Sequence, residues 1–199
     1  MLFLEEHLLI SQGDDRQCYQ HPEAPDKCIK ITYSQNPVQS RKEAAYYQHL
    51  ISRKVSFRRL SRFYGRIPTN KGKGYVFELI RDYDGNISKT LLHLLRMDSV
   101  LLPRIRQDLF RLKDYLIEEG IIIRDLKADN FVYQRLDGHT GKLVIIDGVG
   151  NNEFLPFCNF SVYLARRKIL RKWNRFIHKL NAKYAIHDDR ISPDSDMPA

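Results

Sequence analysis

From Leu8 to Ile80, short apolar runs alternate with polar turns at spacings that predict strands around one helix. Leu8-Leu9-Ile10-Ser11 is the first such run, and it ends in Gln12-Gly13-Asp14-Asp15, a turn composition. A second turn, His21-Pro22-Glu23-Ala24-Pro25, precedes Cys28-Ile29-Lys30-Ile31-Thr32, a β-branched strand with one Lys in its middle. Arg41 to Leu50 is rich in helix formers, and Tyr46, Tyr47, Leu50 and Ile51 recur at helical spacing. Gly74 then opens Tyr75-Val76-Phe77-Glu78-Leu79-Ile80, a strand of buried character.

From Ser88 onward the pattern turns helical. Thr90 to Met97 predicts a short apolar helix. Pro103 to Glu119 predicts a longer one, with Pro at its start, apolar residues at Ile105, Leu109, Leu112, Leu116 and Ile117, and Gly120 as its stop. Two apolar segments follow, Phe131-Val132-Tyr133 and Leu143-Val144-Ile145-Ile146, separated by a turn at Asp137-Gly138-His139. A last amphipathic helix is expected over about Phe160 to Lys183. Strands first and helices afterwards predict an α+β chain of two lobes sharing a cleft.

Composition narrows the class. The chain has 199 residues, is 43% hydrophobic and carries 11 Tyr and 10 Phe, enough for a core. Its formal charge of +9 suits an anionic partner without choosing one. The cysteines Cys18, Cys28 and Cys158 form no C-x-x-C pair, and the N-terminus turns acidic before any apolar leader develops. No apolar run approaches the ~20 residues that span a bilayer. These features predict a cytoplasmic protein without a transmembrane segment.

The polar segments carry the chemistry. Ile123-Arg124-Asp125-Leu126-Lys127-Ala128-Asp129-Asn130 resembles the protein-kinase catalytic loop, R-D-L-K-x-x-N. The resemblance makes Asp125 the acceptor of a hydroxyl proton, puts Lys127 on the transferring phosphate, and makes Asn130 a Mg²⁺ ligand. Asp147-Gly148 follows an apolar strand, 22 positions after Asp125, where the metal-binding D-F-G of kinases belongs; Gly148 replaces the Phe. Asp147 is thus the second expected metal ligand. Taken singly, the two segments also read as a solvated loop and an Asp-Gly turn; their order favours the site.

Lys30 lies mid-strand, as in the kinase V-A-I-K motif, and a buried ammonium needs a partner. Glu43 is the one acidic residue between Lys30 and Glu78, so it is the local choice. The pair would orient Lys30 toward the phosphates of ATP. Of the kinase G-x-G-x-x-G loop only Gly13 is present; the amides of Gly13 to Gln17 would cradle phosphate and Arg16 would add charge, against Asp14 and Asp15. Glu78 falls on the strand that leads to the kinase hinge, with Leu79 to Asp82 expected at the adenine edge.

The resemblance therefore implies a two-lobed protein-kinase-like fold: a β-rich ATP-binding lobe over residues 1–80, a truncated helical lobe over 81–186, and a flexible tail over 187–199. More narrowly, the whole chain is similar to the YrbL family of the PhoP regulatory network in its R-D-L-K-A-D-N-F-V and I-I-D-G stretches, basic C-terminal helix and short length. It departs from kinases at Ile123, which replaces the His of H-R-D, and in lacking A-P-E and room for a peptide platform. From Phe154 to His187 there are eight Lys or Arg and no acid. That helix either packs its apolar face while its charges are solvated, or serves an anionic partner; aromatics on the apolar stripe disfavour nucleic acid. The expected activity is transfer of the γ-phosphate of ATP, with Mg²⁺, to a protein Ser/Thr or to the chain itself, ahead of a small molecule or glycolipid. The alternatives are an ATP-binding pseudokinase or regulatory adaptor, and a basic binding protein without catalysis.

Overall fold

A computed structural model describes residues 1–33, 38–97, 101–150 and 162–184. The expected tail over 187–199, Cys158 and the expected helix start at Phe160 lie outside the described residues. The chain is α+β and divides into two compact units, Met1–Ser88 and Lys89–Ala199.

The first unit holds a five-stranded antiparallel sheet of β1 (Leu9–Gln12), β2 (Arg16–His21), β3 (Ala24–Thr32), β4 (Phe63–Thr69) and β5 (Gly72–Glu78), ordered β1-β2-β3-β5-β4. Helix α1 (Val38–Ser52) falls where the helical spacing placed it. Strands β2 and β4 were not expected. In β2 only Tyr19 is fully buried among polar neighbours, so no apolar run announces it. Strand β4 contains Gly65 and Pro68, which read as breakers; its outer position tolerates the missing Pro donor, and Gly65 (φ 115°) sits at a register shift.

Alternation along β3 divides the sheet's two faces. Ile29 and Ile31 pack with Leu4, Tyr19 and Val76 on one side. The other side meets α1, whose Tyr47 stacks edge-on against Phe77 at 5.3 Å and lies 5.8 Å from Phe63. The hydroxyls of Thr32 and Ser40 share a 2.6 Å hydrogen bond that ties the end of β3 to the first turn of α1.

The second unit contains α2 (Leu91–Met97), α3 (Leu102–Glu119), the hairpin of β6 (Phe131–Arg135) and β7 (Gly141–Ile145), and α4 (Val162–Tyr184). Helix α3 buries Ile105, Leu109, Leu112, Tyr115 and Leu116 and stops at Gly120, whose left-handed φ of 61° favours glycine. The buried Asp108 of α3 accepts the amide of Leu143, which docks the hairpin on the helix. Helix α4 buries Ala165, Ile169, Trp173, Phe176, Ile177 and Leu180. Its Arg166, Arg167, Arg171, Arg175, Lys179 and Lys183 stay exposed. The apolar face of this basic helix is packed as expected, but its charges are not all solvated: Lys168 is buried and Lys172 half-buried. Among the described residues no helix is long and apolar enough to cross a membrane.

Candidate functional site

In the second unit, two loops are sewn together by backbone hydrogen bonds. The amides of Arg124 and Asp125 both donate to the carbonyl of Gly148, at 2.6 and 3.2 Å, and Gly150 N donates to Ile122 O at 3.0 Å. On the other side of Asp147, Ile146 N donates to the carbonyl of Asn130 at 2.9 Å. Asp147 is thus flanked on both sides by residues bonded to the segment that carries Asp125 and Asn130. The loop that carries Asp125 and Asn130 is thus joined to the turn that carries Asp147.

The Asn130 side chain is oriented by the same stitching. Its Nδ2 donates to the carbonyl of Asp125 at 2.8 Å. With the nitrogen so used, Oδ1 is the amide's remaining acceptor. Gly148 (φ 78°) makes this possible: a Cβ there would lie 2.6 Å from Asp125 O and 2.7 Å from Asn130 Nδ2. A glycine at 148 therefore has a local steric cause. Asp147 Oδ1 accepts the amide of Gly148 at 2.6 Å, which fixes the carboxylate over its own turn. Lys127 Nζ lies 2.8 Å from Asp125 Oδ2, and both side chains are substantially exposed, at 63% and 42%. Such a pair adds little to stability, and both groups remain open to a ligand.

Asn130 and Asp147 are the residues here that could hold a metal ion. Among the described residues no group of three or more His, Cys, Asp or Glu gathers into a self-sufficient metal cage. Asn130 Oδ1 and the Asp147 carboxylate are hard oxygen donors, few in number.

The first unit positions its predicted residues differently. Lys30 is 7% exposed, and its Nζ lies 4.6 Å from the centroid of the Phe77 ring. Tyr47 packs on that ring, and Glu43, one turn earlier on α1, is 2% exposed. Lys30 and Glu43 thus share the layer where α1 covers the sheet. Arg16, expected at phosphate, instead donates from Nη1 to Glu43 Oε2 at 2.6 Å. Gly13 N closes the β1–β2 turn on Arg16 O at 2.9 Å, and the Tyr33 hydroxyl donates to the carbonyls of Gly13 and Asp14. A Cβ on Gly13 would come no nearer than 3.8 Å to Arg16 O, so nothing there demands a bare backbone. The Glu78 carboxylate accepts the amide of Arg62 at 3.1 Å, and the amide of Leu79 donates to Asp26 O at 2.8 Å.

One polar residue at the loop was missed by sequence reasoning. Lys172 of α4 donates to the carbonyls of Ile123 and Arg124 at 2.8 and 2.7 Å. A signal was present: Lys172 falls between Ile169 and Phe176, on the inward stripe of the helix.

With this geometry established, comparison with known proteins gives a consistent answer. The family described as PhoP regulatory network protein YrbL matches residues 2–181. YrbL of Escherichia coli K12 is 32% identical over 194 residues, covering 95% of this chain and 92% of that protein. YrbL of Shigella flexneri is similar to the same extent, at 32% over 194 residues.

Proposed function

The chain belongs to the YrbL family of PhoP regulatory network proteins, and we propose that it acts in that network as an ATP-dependent phosphotransferase of the protein-kinase-like fold. One observation carries this reading: Asn130 is turned by the Asp125 carbonyl, beside a glycine that leaves no room for a side chain, next to Asp147.

The residues concerned lie in both units of the chain. In the second, the exposed Asp125 carboxylate takes the proton of the attacking hydroxyl. The acceptor oxygen bonds to the γ-phosphorus, the bond to the β,γ-bridging oxygen breaks, and ADP leaves with that electron pair. Lys127, already beside Asp125, puts its ammonium near the transferring group, where charge is to be stabilised. Asn130 and Asp147 would hold magnesium, which would neutralise developing phosphate charge. In the first unit, Glu43 is paired with Arg16 at 2.6 Å, and Lys30 is the buried ammonium that the reading assigns to nucleotide phosphate. The acceptor class we assign is a protein Ser/Thr hydroxyl, the chain's own included. The test is transfer of labelled γ-phosphate with magnesium, using Asp125→Asn as control; equal turnover in both removes the reading.

A second reading, an ATP-binding regulatory adaptor without turnover, has its own support. The Gly13 amide and the Arg16 guanidinium, both expected at phosphate, make hydrogen bonds within the fold. This reading predicts thermal stabilisation by Mg-ATP with no phosphate transfer.

A further inference from the structure

Helix α4 grips the Asp125 loop at both of its ends. At the leading end, Lys172 Nζ donates to the carbonyls of Ile123 and Arg124, at 2.8 and 2.7 Å. At the trailing end, the ring of Phe176 lies 5.4 Å from that of Phe131, the residue directly after Asn130. Lys172 and Phe176 are four residues apart and so share one face of the helix. Trp173 packs edge-on against Phe176 at 5.7 Å and helps fix that ring.

The carbonyls that Lys172 holds belong to the two residues just before Asp125. Their chain neighbours are already bonded on the far side, since Arg124 N and Asp125 N donate to Gly148 O. The backbone before Asp125 is therefore fixed from two directions, by an ammonium on one and by the Asp147–Gly148 turn on the other. In the kinase pattern a His stands at position 123 and supports the loop; here the residue is Ile123, which has no polar group to offer. We propose that Lys172 is a positioning residue that replaces this lost support from a distant helix, holding Asp125 and Asn130 in register while Phe176 clamps the other end. The proposal deepens the phosphotransferase reading and rests on it for its kinetic consequence. The structural consequence does not depend on it.

The test uses the full chain with Lys172→Met and Lys172→Arg. In phosphate transfer, Lys172→Met lowers kcat by about 10–100-fold while KM for ATP stays within about twofold, because loop placement rather than nucleotide affinity is lost. Lys172→Arg, which keeps a cationic donor, recovers most of the rate. In amide hydrogen exchange, Lys172→Met speeds exchange at Arg124 and Asp125 by about tenfold and leaves the amides of α3 unchanged. Wild-type kcat in Lys172→Met, or unchanged exchange at these two amides, overturns the proposal. If the wild type transfers no phosphate, the phosphotransferase reading fails and the exchange measurement alone decides on Lys172. Should Lys172→Met not fold, Lys172→Gln carries the same measurements.

Discussion

The Met1–Ser88 unit buries its candidate site charges, whereas the Lys89–Ala199 unit exposes its own and fixes the loop that carries them. Lys30 and Glu43 sit in the layer where α1 meets the sheet, and Arg16 reaches Glu43 there through a side-chain bond. Asp125 and Lys127 face solvent, while backbone bonds to Gly148 and the two carbonyl contacts of Lys172 fix their loop. The first arrangement ties charge to folding, because a buried ion whose partner is removed keeps its desolvation cost. The second separates them, because the exposed groups can change without disturbing their backbone support.

Substitutions can break or sharpen that contrast. Glu43→Ala is expected to have the largest effect on stability, about 3–5 kcal/mol, since it strips a buried acid from the cations around it. Denaturant unfolding measures it, and a loss below about 1 kcal/mol, the range of an exposed pair, would erase the distinction. Gly148→Ala should cost about 1–3 kcal/mol, because its φ of 78° strains an L residue and the new methyl meets Asp125 O and Asn130. Its more telling effect is loss of magnesium-dependent nucleotide binding, measured by calorimetry; unchanged binding would show that the Asn130 amide can move without consequence. Asp125→Asn should change stability by less than about 1 kcal/mol while abolishing phosphate transfer. A large drop in melting temperature would place Asp125 with the buried charges instead.

The smallest effect is local to the β6–β7 turn. There the Thr140 hydroxyl, then the amides of His139 and Thr140, hold the Asp137 carboxyl below its ordinary pKa. A depressed acid contributes stability above its unfolded pKa and loses that contribution as pH falls through the folded value. An NMR titration should therefore find the Asp137 midpoint below that of an ordinary aspartate, and Thr140→Val should raise it. An unshifted midpoint in the wild type contradicts this.

Legibility in the sequence followed the range of the interaction. Helix α3 was readable from Pro103, its apolar stripe and Gly120, all local signals. Strand β4 was not, because its outer position in the sheet makes Gly65 and Pro68 tolerable and no local pattern reveals that position. Asp125, Lys127, Asn130 and Asp147 could be singled out because the kinase pattern sets residue types at fixed spacings; the backbone bonds between their loops came only with the structure. The fit of Gly148 against Asn130 was not, since it depends on how closely two loops approach. The Arg16–Glu43 bond spans 27 positions and starts beside a turn, so no local pattern revealed it. Lys172 was hidden among the cations of its helix, although its place on the inward stripe set it apart.

The central claim is that Asn130 and Asp147 hold a magnesium-bound nucleotide. Thermal unfolding with and without Mg-ATP tests it most directly, with Asp147→Asn as the partner variant. The account predicts that Mg-ATP at about a hundred times its Kd stabilises the wild type by about 2.7 kcal/mol, that EDTA removes the effect, and that Asp147→Asn lacks it. No shift in the wild type, or an equal shift in Asp147→Asn, would contradict it.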